Sequence, residues 1–236
     1  MHSLNQSLDL TCVTGFTGRV TTARTVRADR ATTTQEAILK AAERLYAEHG
    51  VYAVSNRQVS EAAGQGNNAA VGYHFGTKTD LVPDIEHKHR ASIELLLERM
   101  VADTGDSDEL RDWIACLVCS LTEHLAQLGN PTWYARFAAQ ALADPAYQKV
   151  VVRDALASPS LVRVVDGITR CLPDLPMAVV VERNIMARNL LVHTCADFER
   201  AFADGADLPR TSWRAVGSGL IDAIVGLWRS PVTELP

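Results

Sequence analysis

The sequence predicts an all-α protein, and three observations carry that prediction. Apolar residues recur at helical spacing over most of the chain beyond residue 33. Helix-start and helix-stop residues punctuate that pattern at sensible intervals. No segment alternates apolar and polar side chains as a half-buried strand would. The 236 residues are 47% apolar and 22% charged, which fits a globule able to bury a core without disulfide or metal staples. A net charge of -5 excludes a global basic field, so any contact with nucleic acid must be local.

Five cysteines (Cys12, Cys116, Cys119, Cys171 and Cys195) lack the density of a secreted scaffold, and the first 30 residues hold no apolar run of signal-peptide length. No stretch approaches a membrane span. A soluble, cytoplasmic protein with no membrane partner is the expectation.

Residues 1–31 are rich in Thr, Ser and Gly and carry Arg19, Arg24, Arg27 and Arg30 against Asp9 and Asp29. They read as a flexible, mildly basic tail, either a spacer or an arm that touches DNA. Thr33 with Glu36 fits a capping box, after which Ile38, Ala41, Ala42, Leu45 and Tyr46 recur at i, i+3, i+4, i+7 and i+8 as far as Gly50. Ser55 with Gln58 repeats the box for a short second helix ending at Gly64. A third short helix from Asn68 to Phe75 turns Val71 and Phe75 inward, and Gly76 ends it. Thr77 with Asp80 starts the fourth. Further helices are predicted near 78–103, 108–128, 131–143, 145–157, 160–171, 176–204 and 211–229, with Pro131, Pro145 and Pro176 at first-turn positions.

Three short helices, the last two joined by a Gly-containing turn, form either a helix-turn-helix reader or a small bundle cap. The polar exposed face of the third helix favours the reader, because Asn68 can bond a base edge while Tyr73 and His74 reach phosphates. The runs A-A-G (62–64) and Y-H-F-G-T-K-T-D-L (73–81) resemble the DNA-binding head of the TetR family of transcriptional regulators, over roughly residues 33–81. Beyond residue 81 the likeness is only one of helical character and length.

That resemblance implies a division into the tail 1–31, a helix-turn-helix domain at 32–81, and an effector-binding and dimerisation domain at 82–236. It implies DNA contacts by Thr33, Asn56, Arg57, Asn67, Asn68, Ala69, Tyr73, His74 and Lys78, with Arg57 as guanine reader and Lys78 as phosphate clamp. Two departures stand out. Eight residues separate Gly64 from Tyr73, one more than the commoner family spacing, and Gly72 stands where an aromatic is usual. Residues 1–80 hold eight basic and seven acidic side chains against 15 and 21 in residues 81–236, so one head alone should bind weakly and two on a homodimer should read a palindromic operator.

For the dimer surface the sequence offers the apolar face of the last helix, with Trp213, Gly217, Leu220, Ile224 and Trp228, although the same face suits an intramolecular core. The family implies a small-molecule effector, for which Trp113, His124, Trp133, Tyr134, Phe137, Asn184 and Arg188 are the candidate contacts, and Pro83 a candidate hinge between head and body. Cys116 and Cys119 at i, i+3 read as buried apolar residues or a redox pair, and His87 and His89 are poorly spaced for zinc, so no metal or cofactor is expected. No nucleophile elbow, Walker loop, dinucleotide fingerprint or zinc-protease motif occurs. The predicted protein is a ligand-released repressor rather than an enzyme. The rival readings are a helical enzyme acting on an apolar small molecule, or a dimeric scaffold whose head docks protein.

Overall fold

The computed structural model describes residues 18–66 and 69–233, with side chains described from Thr32 onward apart from positions 79, 150 and 154. Among the described residues there are ten helices and no strand. The first, α1 (Gly18–His49), starts well ahead of the expected capping box. Thr33 therefore stands inside a continuous helix rather than at its beginning. The physical reason is that residues 19–31 contain neither proline nor glycine, and their Ala and Arg residues favour helix, so nothing interrupts the chain there.

The two short helices follow as expected. Ser55 caps α2 (Asn56–Ala62) with a complete box, its hydroxyl accepting from the Gln58 N–H while the Gln58 side chain accepts from the Ser55 N–H at 2.8 Å. The third helix, α3 (Ala70–Phe75), is shorter than the sequence suggests, and Asn67 and Asn68 lie outside the described residues. Val71 on α3 and Val59 on α2 are fully buried, as are Ile38 and Ala42 of α1, and α2 packs on both α1 and α3 to close the head's core. Gly76 takes φ +78, a conformation open to glycine at little cost, and turns the chain into the Thr77–Asp80 capping box of α4 (Lys78–Thr104). Leu81, Val82 and Ile85 of α4 are buried in the same core, so this long helix begins as part of the head. Pro83 lies within its first turns.

The body comprises α5 (Leu110–Leu128), α6 (Tyr134–Ala143), α7 (Pro145–Leu156), α8 (Pro159–Arg170), α9 (Met177–Ala203) and α10 (Trp213–Arg229), within a few residues of the spans expected. Pro145 opens α7 and Pro159 opens α8, whereas Pro131 precedes α6 and Pro176 is the cap of α9. Helix α5 runs through the middle, packed by α4, α8 and α10, while α6 is held between α1 and α9. Trp113 of α5 fixes one crossing. Its indole N–H donates to the Ser107 carbonyl at 2.9 Å, and a Cβ on Gly167 of α8 would lie 2.2 Å from its ring, so only glycine permits that approach.

The apolar face of α10 expected to meet a second chain is buried inside this one. Trp213, Leu220, Ile224 and Trp228 are each at most 9% exposed, and Gly217 packs against Thr122 and Val118 of α5. An amphipathic stripe records only that a face is buried, and here the nearer solution, α5 of the same chain, occupies it.

Candidate nucleic-acid interface and adjoining cavity

The outer side of the head is formed by α2, α3 and the start of α4. Ala69 and Tyr73 are exposed, Tyr73 at 80%, while His74 is half-buried with its ring edge-on to Tyr73 at 5.0 Å. An aromatic hydroxyl so far from any core has no packing role and faces whatever the head meets. Arg57 on α2 is exposed too, with its Nε donating to Glu61 at 2.8 Å, an i, i+4 pair weak enough at that exposure to be exchanged for another acceptor. Asn56 is half-buried, with its side-chain oxygen enclosed and lacking a hydrogen-bond partner. Lys78 does more than point outward. Its ammonium donates to the Tyr52 carbonyl at 2.8 Å and lies 6.0 Å above the Tyr52 ring, and burial lowers its pKa. It ties the start of α4 to the loop that follows α1. Gly72 has open space around its missing Cβ, and nothing in the structure explains glycine there.

Behind the head, α4 changes role. One side of it walls a cavity of about 200 Å³ between α4, α5, α6, α7, α8 and α9. The walls are mostly apolar, with Ile93, Leu97, Leu117, Leu121, Leu161 and Leu191 among them. The polar lining gathers on the α4 side, where Glu86, Arg90 and Glu94 succeed one another at i, i+4 and i+8, with Tyr134 and Ser120 nearby. Glu94 accepts from the Ser158 hydroxyl and from the Ser160 N–H at 3.3 Å. Burial pushes its carboxyl up, but those bonds and the Arg90 charge outweigh that and leave its pKa below the ordinary value. Tyr134 donates to Glu86 at 3.3 Å, and burial raises its phenol pKa far above the usual range. The Nε of Arg90 is buried without a hydrogen-bond partner, a donor left for something that enters.

Of the seven side chains expected to line this chamber, only Tyr134 does so. Trp113 and Phe137 are core residues, Phe137 stacked on Tyr46 of α1 at 6.4 Å. His124 is buried behind the wall, its Nε2 2.8 Å from His89 Nδ1, and Trp133 caps α6. Asn184 and Arg188 lie on the outer part of α9 beside two separate grooves. Aromatic residues mark burial, not access, which is why they misled. The lining residues that sequence reasoning missed, Glu86, Arg90 and Glu94, form a charged stripe indistinguishable in sequence from a solvated helix face. Cys195 also lines the cavity, its thiol pushed up to about 12 by burial and by Glu199. Burial likewise raises Cys116 and Cys119, the opposite of an activated redox pair.

Among the described residues no cluster of His, Cys, Asp and Glu is arranged to hold a metal, and no helix is long and apolar enough to cross a membrane. A profile described as "Bacterial regulatory proteins, tetR family" matches residues 38–85, and one described as "Tetracyclin repressor-like, C-terminal domain" matches residues 115–226. The chain is similar in fold to the crystal structure of a TetR family transcriptional regulator, PfmR, from Thermus thermophilus, at 16% identity and a TM-score of 0.52, covering 83% of this chain and 99% of that one. No characterised protein matches the sequence at a significant level. An exposed helix-turn-helix with matching family residues, joined by one helix to a helical body that a second profile of the same family covers, leaves a single conclusion: the chain belongs to the TetR family of DNA-binding transcription regulators.

Proposed function

We propose that this protein is a homodimeric repressor released from a palindromic operator by a small, largely apolar effector bound in the α4-walled cavity. The observation that carries the reading is the double duty of α4. Its first turns are buried in the head, and the following turns supply Glu86, Arg90 and Glu94 to the cavity. A helix of 27 residues is about 40 Å long and moves as a rod, so a shift forced at the cavity reaches the head. The effector would have an apolar body for the leucine walls and a hydrogen-bond acceptor for Arg90 Nε.

In the bound state α3 enters the major groove with Ala69 and Tyr73 outward, while Arg57, His74 and Lys78 reach bases or phosphates around it. Thr33, Asn56, Asn67 and Asn68 complete the proposed contact set. Lys78 would exchange its Tyr52 carbonyl for a phosphate at the N-terminus of α4, where unpaired N–H groups favour an anion.

For the dimer we propose the outer surface of α9 and α10 in place of the buried α10 face. Met177, Val181, Ile185 and Met186 are exposed on α9, and Ser218, Ala223 and Gly226 give α10 a small-residue outer side that permits close approach. Selection of bound duplexes from a random pool is expected to return a two-fold motif with half-sites about 34 to 36 Å apart or a little more. Joint Val181→Glu and Ile185→Glu substitution should then give a folded monomer that no longer binds it. Recovery of no motif at low salt, or a dimer unchanged in sedimentation, would refute the DNA reading or the surface respectively.

A further inference from the structure

Between the cavity and the head runs a chain of polar side chains that the core has no packing reason to contain. Tyr134, on the cavity wall, stacks on His89 with ring centroids 3.9 Å apart and planes 19° from parallel. His89 is 2% exposed and donates from Nε2 to Glu43 Oε2 at 3.0 Å. Glu43, 5% exposed, belongs to α1, the first helix of the head, and Lys88 Nζ lies 3.5 Å from the same oxygen. On the other side His89 Nδ1 meets His124 Nε2 of α5 at 2.8 Å. Both ring nitrogens of His89 thus have a partner.

Three helices, α1, α4 and α5, are thus linked by directional bonds, and the Tyr134 ring stacked on His89 adds α6. The described ring contact of α1 with the body is of another kind. Tyr46 on Phe137 and their aliphatic neighbours form surfaces that slide at little cost. A hydrogen bond near 2.9 Å tolerates no such slide, because it is lost within several tenths of an ångström. Well-packed apolar residues would serve stability equally well here, so the polar chain calls for a role other than stability.

We propose that Tyr134, His89 and Glu43, steadied by His124, form the coupling element by which α1 of the head registers occupancy of the cavity. This rests on the reading of the protein as an effector-controlled regulator. An occupant that displaces the Tyr134 ring moves the surface His89 stacks on, and the His89–Glu43 bond passes that displacement to α1. His89 is a positioning residue in this scheme and touches neither DNA nor effector.

The test fills the cavity from within by Ala138→Phe, or by Ala155→Phe should the first variant fold poorly. Loss of fluorescence from the cavity probe 1-aminoanthracene confirms filling. Affinity for the selected operator duplex and amide exchange over residues 38–49 are then measured with His89 intact and in His89→Gln, which keeps hydrogen-bonding capacity but lacks the ring. Filling is expected to lower operator affinity about fivefold or more with His89 intact and by less than about twofold in His89→Gln. An equal response in both overturns the coupling element while leaving the regulator reading in place. No response in either overturns the coupling element together with effector control.

Discussion

Ser55 and Gln58 hold α2 in the head, and Glu199 holds α6 in the body, yet the two devices differ in reach. The Ser55 box closes over three residues, as does Thr77 with Asp80. In the body, the Glu199 carboxylate of α9 accepts from the backbone N–H groups of Ala135 and Arg136, each at 3.0 Å, and from Arg136 Nε at 3.0 Å, partners more than sixty residues away. Arg183 likewise donates to the Trp228 and Ser230 carbonyls at 2.7 Å, closing the end of α10 from α9. Both regions solve the same problem, the unpaired groups at helix ends. The head solves it with neighbours in sequence, whereas the body adds side chains from other helices to local caps such as Ser158 on α8 and Ser212 on α10. A body tied across its helices is expected to respond as a unit, and the locally capped head to keep its form.

The strongest way to break that contrast is at Glu199. Burial pushes its carboxyl up in pKa even against three donors, so the charge is held in an unfavourable place by its partners alone. Glu199→Ala leaves the Nε of Arg136, itself mostly buried, and two backbone N–H groups without their acceptor, while the Arg136 guanidinium keeps only the Thr132 carbonyl. A loss of about 3 to 5 kcal/mol is expected in denaturant unfolding. The exchange protection of α2 relative to the body should rise in the variant, because its Ser55 cap is untouched.

A second effect of similar origin is set by pH. Burial and the neighbouring His89 hold His124 down to about 4, against an ordinary value of 6.5. The folded protein therefore binds fewer protons than the unfolded chain between those values. The stability this contributes is complete above about pH 6.5 and is lost as the pH falls toward 4, in all roughly 3 kcal/mol. Midpoints measured from pH 7.5 to 4.5 should fall along this curve, and His124→Gln should flatten it. A wild-type profile no steeper than that of the variant would show that His124 titrates normally.

The same contrast explains what could be read from the chain before its structure. Capping pairs, Gly50, Gly64 and Gly76, and the Y-H-F-G run are local signals, so the head's helices and their outward side chains were legible. The body's helices were legible too, because proline, glycine and periodicity mark where each begins and ends. Which faces meet was not. The α10 stripe from Trp213 to Trp228 matched a dimer seam and a core helix equally well, and only the position of α5 decides between them. The cavity was least legible, since Glu86, Arg90 and Glu94 look solvated until α6 to α9 close over them. The start of α1 failed for the opposite reason: Thr33 and Glu36 form a plausible local start that the helical residues before it override.

The smallest expected effect sharpens the comparison from the head's side. Ser55→Ala removes one hydroxyl from an exposed cap, and the cost should be about 1 kcal/mol. No partner beyond α2 is lost, so the change should appear as faster amide exchange in residues 56–62 and leave the cavity untouched. Binding of 1-aminoanthracene should be the same in Ser55→Ala as in the unaltered protein, whereas operator affinity should drop because α2 supports α3 from behind. The two readouts separate the regions cleanly. Should the probe's affinity change with this one hydroxyl, the head would have to be coupled to the cavity through α2 as well, and the division between local and long-range devices would not hold.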